Sequence, residues 1–285
     1  MISIVGIGTG ASAIARKFGD ITQYEVYELN NTIKKNSKRK KALEKFSSPE
    51  EYEKNVPDLK VFFKDLSDTV QVFIVGTTYS SNYSLGILEQ MRDKKIEVFY
   101  VKPDIELVNG ERHLIENTTF GVLQEYARSG LFESFTVFSN LEIEKTLGDV
   151  PIKTYYDTLN TAIFSAVHYL NYFTHSEPEI GQVAKPAKIN RIRSMAILNP
   201  TNLQENWLFQ LDTERELCYY ICVNEERLAS EGSLHRKLVN ILKDKPTNAF
   251  RKISYAIYET PHNDFGYVVA HTNTIQQQKT LDKVD

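Results

Sequence analysis

The sequence predicts an α/β protein: a doubly wound parallel sheet, then a long helix, then a small α+β domain. Short apolar strands alternate with helical segments over the first half of the chain, which is the pattern of a doubly wound sheet. An amphipathic stretch at 152–173 follows, and the pattern then becomes rich in strands. We therefore predict a nucleotide-binding-type domain at 1–150, a connecting helix at 151–175, a small β-rich domain at 176–272 and a mobile tail at 273–285.

Length and composition limit the possible functions. The 285 residues suffice for two modest domains, and 34 basic against 37 acidic residues give a net charge of -3, which does not predict a nucleic-acid partner. No apolar run approaches the roughly 20 residues that span a bilayer, and the N-terminus has no basic leader. We expect a cytoplasmic protein without a membrane partner. Cys218 and Cys222 are expected to be buried free thiols, and the scattered histidines predict no metal site.

The first strand, Ile2–Val5, leads into a glycine-rich turn and a helix at Ser12–Phe18. Glycine lets the backbone approach a phosphate closely, and the free N–H groups of a first helical turn point at the anion. A second strand, Tyr24–Leu29, places Glu28 some 20 positions beyond the glycines, where dinucleotide-binding folds have the acidic residue that binds ribose. These residues leave two interpretations open, a Rossmann-type NAD or FAD site and a purely structural tight turn.

A basic run and a helix-start signal come next. Lys34–Lys41 is interpreted as a solvated loop or helix face, with an anion or nucleic-acid contact as the alternative. The signal at Ser47–Glu51 predicts a helix that continues to about Leu66 despite Pro57.

The continuous apolar strand Val70–Val75 is typical of the middle of a parallel sheet. The elements expected after it are a loop at Gly76–Ser84, a helix through Met91, a strand at Ile96–Val101, a turn at Asn109–Arg112, a helix at Leu114–Ser129 and a strand at Phe135–Phe138. Ligands of such sheets bind at the carboxyl ends of the strands. The segments expected to gather there are Gly6–Ser12, Asn30–Thr32, Gly76–Ser84 and Lys102-Pro103.

The long helix is predicted at Ile152–Phe173 because its apolar residues recur every three or four positions. A linker is expected at Ser176–Lys188. The elements predicted for the small domain are strands at Ser194–Leu198, Trp207–Leu211, Leu217–Val223, Arg251–Tyr258 and Tyr267–His271, one helix at Ser233–Lys243 and a hairpin turn at Pro261–Asp264.

This order of features, along nearly the whole chain, resembles the tubulin superfamily and particularly FtsZ, its bacterial cell-division member. The segments that carry the resemblance are Gly6–Ser12 for the first phosphate loop, Asn30-Asn31-Thr32 for the second, Ser48-Pro49-Glu50 for the third, Lys102-Pro103 with Asn109–Arg112, and Ser139-Asn140. Tyr156 and Asn160 match the aromatic residue that stacks on guanine and the asparagine that bonds its edge. The resemblance implies that GTP or GDP, if bound, contacts Gly6, Gly8, Thr9, Gly10, Ala11, Asn30, Gly76, Ser80, Ser81, Asn109, Tyr156 and Asn160.

Two departures from the family's pattern bear on activity. The family's glycine-rich signature loop falls on Thr78–Ser84, which has no glycine, and Tyr79 and Tyr83 are expected to bring bulk into the phosphate space. The hydroxyls of Ser80, Ser81 and Ser84 could still donate hydrogen bonds there.

The second departure lies in the loop after the long helix, where the family places acidic residues that polarise the attacking water. Lys188 and Asn190 stand near those positions, and Glu177 and Glu179 come too early. No catalytic residue is therefore assigned.

Three functional hypotheses follow. The first is a divergent tubulin/FtsZ-like structural protein that associates with itself head to tail, and with other assembly proteins, with GTP binding weakened or lost and no efficient hydrolysis. The second is an active GTPase that drives dynamic cytoskeletal filaments. The third is a Rossmann-type NAD or FAD oxidoreductase, against which stands the lack of a Tyr-x-x-x-Lys pair. Short members of the superfamily occur in phages and plasmids, so the compartment would be a host cytoplasm or a virion if the origin is viral.

Overall fold

The structure is a computed structural model that describes residues 1–104, 110–247 and 251–276. Within these ranges the strands are β1 (Ile2–Ile7), β2 (Tyr24–Asn30), β3 (Lys40–Ala42), β4 (Thr69–Val75), β5 (Lys95–Lys102), β6 (Ser134–Ser139), β7 (Ile180–Gln182), β8 (Ile192–Leu198), β9 (Glu205–Trp207), β10 (Glu216–Asn224), β11 (Lys252–Thr260) and β12 (Phe265–Thr272). The α-helices are α1 (Thr9–Arg16), α2 (Pro49–Lys54), α3 (Ser84–Glu89), α4 (Gly110–Ser129), α5 (Asn140–Leu147), α6 (Tyr155–Thr174), α7 (Glu225–Ser230) and α8 (Leu234–Lys243). Two 3₁₀ helices lie at Tyr79–Tyr83 and Ile152–Thr154.

The strands form one continuous sheet in the order β3-β2-β1-β4-β5-β6-β8-β12-β10-β11-β7, with β9 paired to β8. From β3 to β6 every neighbouring pair is parallel, so the predicted α/β class with its doubly wound parallel sheet is confirmed. β8 joins β6 in parallel through three residue pairs, and the strands beyond it are mostly antiparallel. Because the sheet runs through from one half of the chain to the other, the division into domains stays a prediction.

Helix α6 packs lengthwise against one face of the sheet. Its buried apolar residues share a core with α1 and with side chains of β1, β4, β5 and β12. These residues are Leu159, Ile163, Ala166, Val167, Leu170 and Phe173. Burying each of the large ones contributes about 1.5–3 kcal/mol relative to an exposed position. The helix therefore holds elements of both halves of the chain together.

Several sequence predictions of single elements are wrong. The helix expected from Ser47 to Leu66 is only α2, because the chain turns away before Pro57, which cannot donate an intrahelical hydrogen bond. The strand expected at Trp207–Leu211 lies earlier, as β9, and pairs with β8. The expected linker contains β7, and the expected turn at Asn109–Arg112 is helical from Gly110 onward. Helices α5 and α7 were not predicted.

The expected hairpin at Pro261–Asp264 is also wrong. Strand β10 lies between β11 and β12, pairing in parallel with β11 and antiparallel with β12. The turn therefore connects strands on either side of β10. Alternating apolar residues identify such strands, but they do not identify the pairing partner.

The basic run ends in β3, the edge strand beside β2. Three of its side chains form ion pairs, Lys38 with Asp65, Arg39 with Glu25 and Lys40 with Glu28. Charged side chains on a short edge strand discourage pairing with other chains. This agrees with the predicted solvated face.

Both cysteines are buried free thiols, as predicted. Burial raises the pKa of Cys218 to about 11 and that of Cys222 to about 12. Over the described ranges, the helices lack the length and apolar character needed to cross a membrane.

His271 predicts how stability depends on pH. It lies on β12 opposite Arg193, and burial, with the nearby guanidinium, lowers its pKa to about 3. The folded state thus keeps a neutral histidine while the unfolded state gains a proton below about pH 6.5. We expect the free energy of unfolding to fall as the pH drops below about 6.5, with the contribution of this residue approaching about 1.4 kcal/mol per pH unit near pH 5. Urea unfolding at several pH values measures this slope.

The variant His271→Gln should flatten that slope, whereas His235→Gln, at an exposed position, should leave it as in the wild type. Equal slopes in the wild type and His271→Gln would contradict the assignment.

Candidate nucleotide site and loops

The first predicted site segment is the turn between β1 and α1. A Cβ atom on Gly6 would lie 2.7 Å from Ser12 Cα and 2.8 Å from the Ala11 carbonyl oxygen, so the helix backbone packs directly on this glycine. Gly8 has φ of +100°, a conformation that favours glycine, and its N–H donates to the Leu29 carbonyl at 2.7 Å. Gly6 thus serves strand–helix packing, and Gly8 makes the turn.

The first turn of α1 presents backbone donors at the carboxyl ends of the strands. The first intrahelical hydrogen bond runs from the Ser12 N–H to the Gly8 carbonyl at 2.8 Å, which leaves the N–H groups of Thr9, Gly10 and Ala11 without an acceptor in the helix. Within the described residues no side chain caps this end. These three predicted residues thus keep the donors that an anion would need.

Asn30, also a predicted contact, is fully buried at the end of β2. Its Nδ2 donates to Ser12 Oγ at 2.9 Å, and its Oδ1 accepts from the backbone N–H and the hydroxyl of Thr32. These bonds hold the first two loops together. The Asn30 amide therefore organises the loops rather than projecting from them.

The loop after β4, which replaces the family's glycine-rich signature, folds back on itself as a 3₁₀ helix. Thr78 begins this helix, and its hydroxyl donates to the Val75 carbonyl at 3.0 Å. The Ser81 hydroxyl donates to the Thr78 carbonyl at 2.6 Å, and its N–H donates there too. Ser84 Oγ is buried and has no hydrogen-bond partner among the described residues. Both hydroxyls point into the protein in this conformation, and their contact with a ligand stays a prediction.

The loop after β4 also packs against the glycine turn between β1 and α1. A Cβ atom on Gly8 would lie 3.2 Å from Thr78 Oγ1 and 3.3 Å from Ser80 Cβ. Side chains of the loop therefore fill the space next to Gly8, and Ser80 itself is buried there. The structure thus brings Gly8 and Ser80 together.

The two tyrosines of the loop have different surroundings, and the expectation that both crowd the phosphate space is wrong for Tyr83. Tyr83 is buried in the core, where its ring contacts that of Tyr52 at 4.8 Å between centroids and its hydroxyl donates to the Glu44 carbonyl. Its apolar ring gains more from burial than from exposure at the loop surface.

Tyr79 remains at the surface between two cations. Lys45 Nζ lies 3.9 Å from its ring centroid, and Arg112 Nη2 donates to its hydroxyl at 3.1 Å. The Lys45 ammonium, with Arg112, lowers the pKa of Tyr79. A cavity of about 220 Å³ opens beside the ring, lined also by Ser48, Thr78 and Asn82 among others. Sequence spacing gives no signal for this cluster, because its members come from three separate segments.

Beneath Gly76, another predicted contact, lies a buried polar cluster. The Tyr100 hydroxyl donates to Glu116 Oε2, and a Cβ atom on Gly76 would collide with both groups. Burial raises the pKa of Glu116 and lowers that of Lys102, whose Nζ lies 4.3 Å from the Phe120 ring centroid. Gly76 is therefore required by packing.

The two predicted base contacts lie near the start of α6. The Lys17–Asp157 ion pair at 2.7 Å and the packing of Leu159 into the core shared with Ala11 bring this end of α6 alongside α1. Tyr156 is 70% exposed and Asn160 is half-buried. Asn109 lies outside the described residues.

The loop after α6 is held by a carboxylate that the sequence did not single out. Glu216 Oε2 accepts from Asn190 Nδ2 at 2.7 Å and from the Ala187 N–H at 2.8 Å. Lys188 is exposed, and so are Glu177 and Glu179. Asn190 therefore fixes the loop, and its position offers no carboxylate for polarising water.

Glu28, the possible ribose ligand of a Rossmann enzyme, is buried and paired on both oxygens. Arg16 Nη2 lies 2.7 Å from its Oε2, and Lys40 Nζ lies 3.2 Å from its Oε1. These contacts lower its pKa against the effect of burial. The residue thus has a structural role, and the oxidoreductase hypothesis loses its main ribose contact.

The combination of a doubly wound sheet, phosphate-loop positions at its carboxyl edge, a long central helix and a smaller second sheet region defines the tubulin/FtsZ fold. Solved structures of this class match nearly the whole chain. They include FtsZ from M. jannaschii (TM-score 0.68, 13% identity, covering 100% of this chain and 94% of that one) and CetZ from Methanosaeta thermophila (0.63, 13%, 96% and 86%). TubZ from Bacillus thuringiensis serovar israelensis, in GDP-form protofilaments, is similar too (0.69, 10%, 95% and 86%). The fold implied by the sequence resemblance is confirmed. No protein-family model and no curated protein sequence matches the chain.

Gly6 gives a direct test of the packing between β1 and α1. We expect Gly6→Ala to lower the free energy of unfolding by about 1–3 kcal/mol, because the added methyl group meets helix backbone that cannot move aside. Gly121→Ala is the matched control, since a Cβ atom there meets nothing within 4 Å in the middle of α4. It should raise stability by up to about 1 kcal/mol. Equal effects of the two substitutions in denaturant unfolding would contradict the packing role.

Proposed function

We propose that this protein is a structural subunit that associates with itself head to tail, with GTP binding weakened or lost and without efficient hydrolysis. The observation that supports weakened or lost GTP binding is the conformation of the loop Gly76–Ser84. The Ser81 hydroxyl and N–H both donate to the Thr78 carbonyl, and the Thr78 hydroxyl donates to the Val75 carbonyl. The side chains of Thr78 and Ser80 fill the space beside Gly8. A phosphate group needs free donors and open space at this place.

The loop after α6 supports the lack of hydrolysis. Phosphoryl transfer depends on placing the attacking water against a polarising group. In this chain Asn190 stands near the expected position and is bonded to Glu216, while the neighbouring Lys188 is a cation. A cation there would not activate a water molecule as a base.

Self-association draws its support from the fold and from exposed apolar residues before and after α6. The similar solved structures include an FtsZ dimer, TubZ protofilaments and a four-stranded TubZ filament. In this chain Ile152 is 93% exposed just before α6, and Ile180 is 42% exposed in β7, the edge strand that follows α6 in the chain. The 20-residue helix between these positions in the chain is about 30 Å long. Exposed apolar groups on either side of α6 in the chain suit a contact between subunits.

One set of observations favours the second hypothesis, an active GTPase. The N–H groups of Thr9, Gly10 and Ala11 have no helical acceptor, and the Tyr156 ring near the start of α6 is exposed. A nucleotide bound at these residues would form one side of the subunit contact. The assays below distinguish this outcome from the proposal.

The proposal includes a cytoplasmic location, in a host cell or a virion if the source is viral, and contacts with other assembly proteins. The free thiols of Cys218 and Cys222 suit a reducing compartment.

We expect the purified protein to hydrolyse GTP no faster than the background, because Asn190 stands near the expected acidic position and the neighbouring Glu216 carboxylate is bonded to Asn190 and to the Ala187 N–H. Phosphate release is measured for the wild type and for Asn160→Ala, whose guanine contact would be lost. Turnover by the wild type that the variant abolishes would establish the GTPase instead.

We expect Ile152→Glu and Ile180→Glu each to reduce self-association at least tenfold, since each places a charge in the stacked contact. Val61→Glu is the control, because Val61 is 88% exposed near the edge strand β3 rather than at an end of α6. Sedimentation velocity over a concentration series measures the effect. A wild type that stays monomeric at high concentration, or equal effects of all three variants, would contradict the proposed contact.

A further inference from the structure

A path of polar side chains crosses the face of the sheet that α6 covers. Asn171 of α6 and Gln71 of β4, both buried, exchange two hydrogen bonds: Gln71 Nε2 donates to Asn171 Oδ1 at 2.7 Å, and Asn171 Nδ2 donates to Gln71 Oε1 at 2.9 Å. Asn171 Nδ2 also donates to the Tyr24 hydroxyl at 3.2 Å, which lies 3.0 Å from His168 Nδ1. A single residue of α6 is thus bonded to both β2 and β4.

The path continues to the second half of the chain. Gln71 Nε2 donates to Glu97 Oε2 at 2.7 Å, and Arg193 Nη2 lies 3.4 Å from Glu97 Oε1. Arg193 Nε donates to Thr136 Oγ1 at 2.6 Å, and its guanidinium lies 5.6 Å from the Phe99 ring centroid. The path therefore runs from α6 through β4 and β5 to β8.

Arg193 lies where the two halves of the sheet meet. Strands β6 and β8 are paired through only three residue pairs, and Thr136 and Arg193 form the middle pair. A three-residue ladder is a narrow connection for a sheet of this size. The Arg193 contacts with Thr136 and Glu97 add directional bonds at this junction.

Most of the α6 seam is apolar, and apolar contact has no preferred direction. Other polar contacts of α6 join Tyr24 to His168, Lys17 to Asp157 and Tyr155 to Glu144. A displacement of α6 by one turn, about 5.4 Å, could still bury much apolar surface. The same displacement would separate Asn171 from Gln71 and from Tyr24. It would leave the buried Asn171 amide and the Gln71 amide oxygen without these partners, which is unfavourable. The amide pair thus selects one position of the helix.

We propose that this polar path, Asn171–Gln71–Glu97–Arg193, locks α6 in one axial position and makes the two halves of the chain a single rigid unit. The inference does not depend on self-association or on nucleotide binding. These residues would fix the position of α6 as well as add to stability. The distance between a label on each half of the chain measures that position.

The test places one spin label on each half, at Val61→Cys and Lys243→Cys, both exposed positions. Cys218 and Cys222 are buried and should stay unlabelled. The double electron–electron resonance distance is measured on dilute full-length protein in the wild-type background and in Gln71→Leu/Asn171→Leu, which removes both amides and leaves neither unpaired. We expect a single narrow distance distribution in the wild-type background. In the double variant we expect a broader distribution or a second distance.

Ser3→Ala is the matched control, because Ser3 is a buried hydrogen-bonded residue whose partner, Ser67, lies outside the polar path. It should keep the narrow distance. The proposal would be overturned by two distances in the wild-type background. It would also be overturned if the distance distribution of Gln71→Leu/Asn171→Leu were as narrow as that of the wild type.

A milder variant covers the case in which the double variant does not fold. Tyr24→Phe removes only the hydroxyl that accepts from Asn171. We expect amide hydrogen exchange in the second half of α6 to become at least threefold faster, with α4 unchanged. Unchanged exchange in α6 would also overturn the proposal.

Discussion

The packing of α6 across the sheet is the contact on which the rest of the molecule depends. Its apolar face covers α1 and strands from both halves of the chain, and the strand junction between those halves is only three pairs long. The glycine turn and the loop after β4 lie against each other, and the start of α6 is joined to α1 by the Lys17–Asp157 pair. The loop that carries Asn190 follows the other end of α6. The head-to-tail association that we propose would use segments at both ends of this helix.

The loop after β4 is the segment on which the proposed weakening of GTP binding depends. Where the family has a glycine-rich loop, this chain has a short 3₁₀ helix in which the Ser81 hydroxyl and N–H bond to the Thr78 carbonyl. The Gly76 backbone packs against the Tyr100–Glu116 pair, and the side chains of Thr78 and Ser80 lie next to Gly8. The proposed loss of GTP binding rests on this conformation of the loop.

The sequence predicted the parallel sheet and the long helix well, since both depend on local periodicity. It missed the features that depend on long-range contact. Nothing in the pattern around Tyr83 showed that its ring enters the core, and nothing near Lys45 or Arg112 pointed to Tyr79. The turn at Pro261–Asp264 resembled a hairpin because local residues do not show that β10 lies between its strands. Glu216 was missed for the same reason, since its partners Ala187 and Asn190 lie far from it in the chain.

We propose that the fold has kept the backbone plan of a nucleotide site without the groups that hold the phosphates. Nucleotide occupancy provides the sharpest check: the purified full-length protein is denatured, and released nucleotides are quantified by mass spectrometry. We expect far less than one guanine nucleotide per chain. One GTP or GDP per chain, lost in Tyr156→Ala, would contradict this proposal.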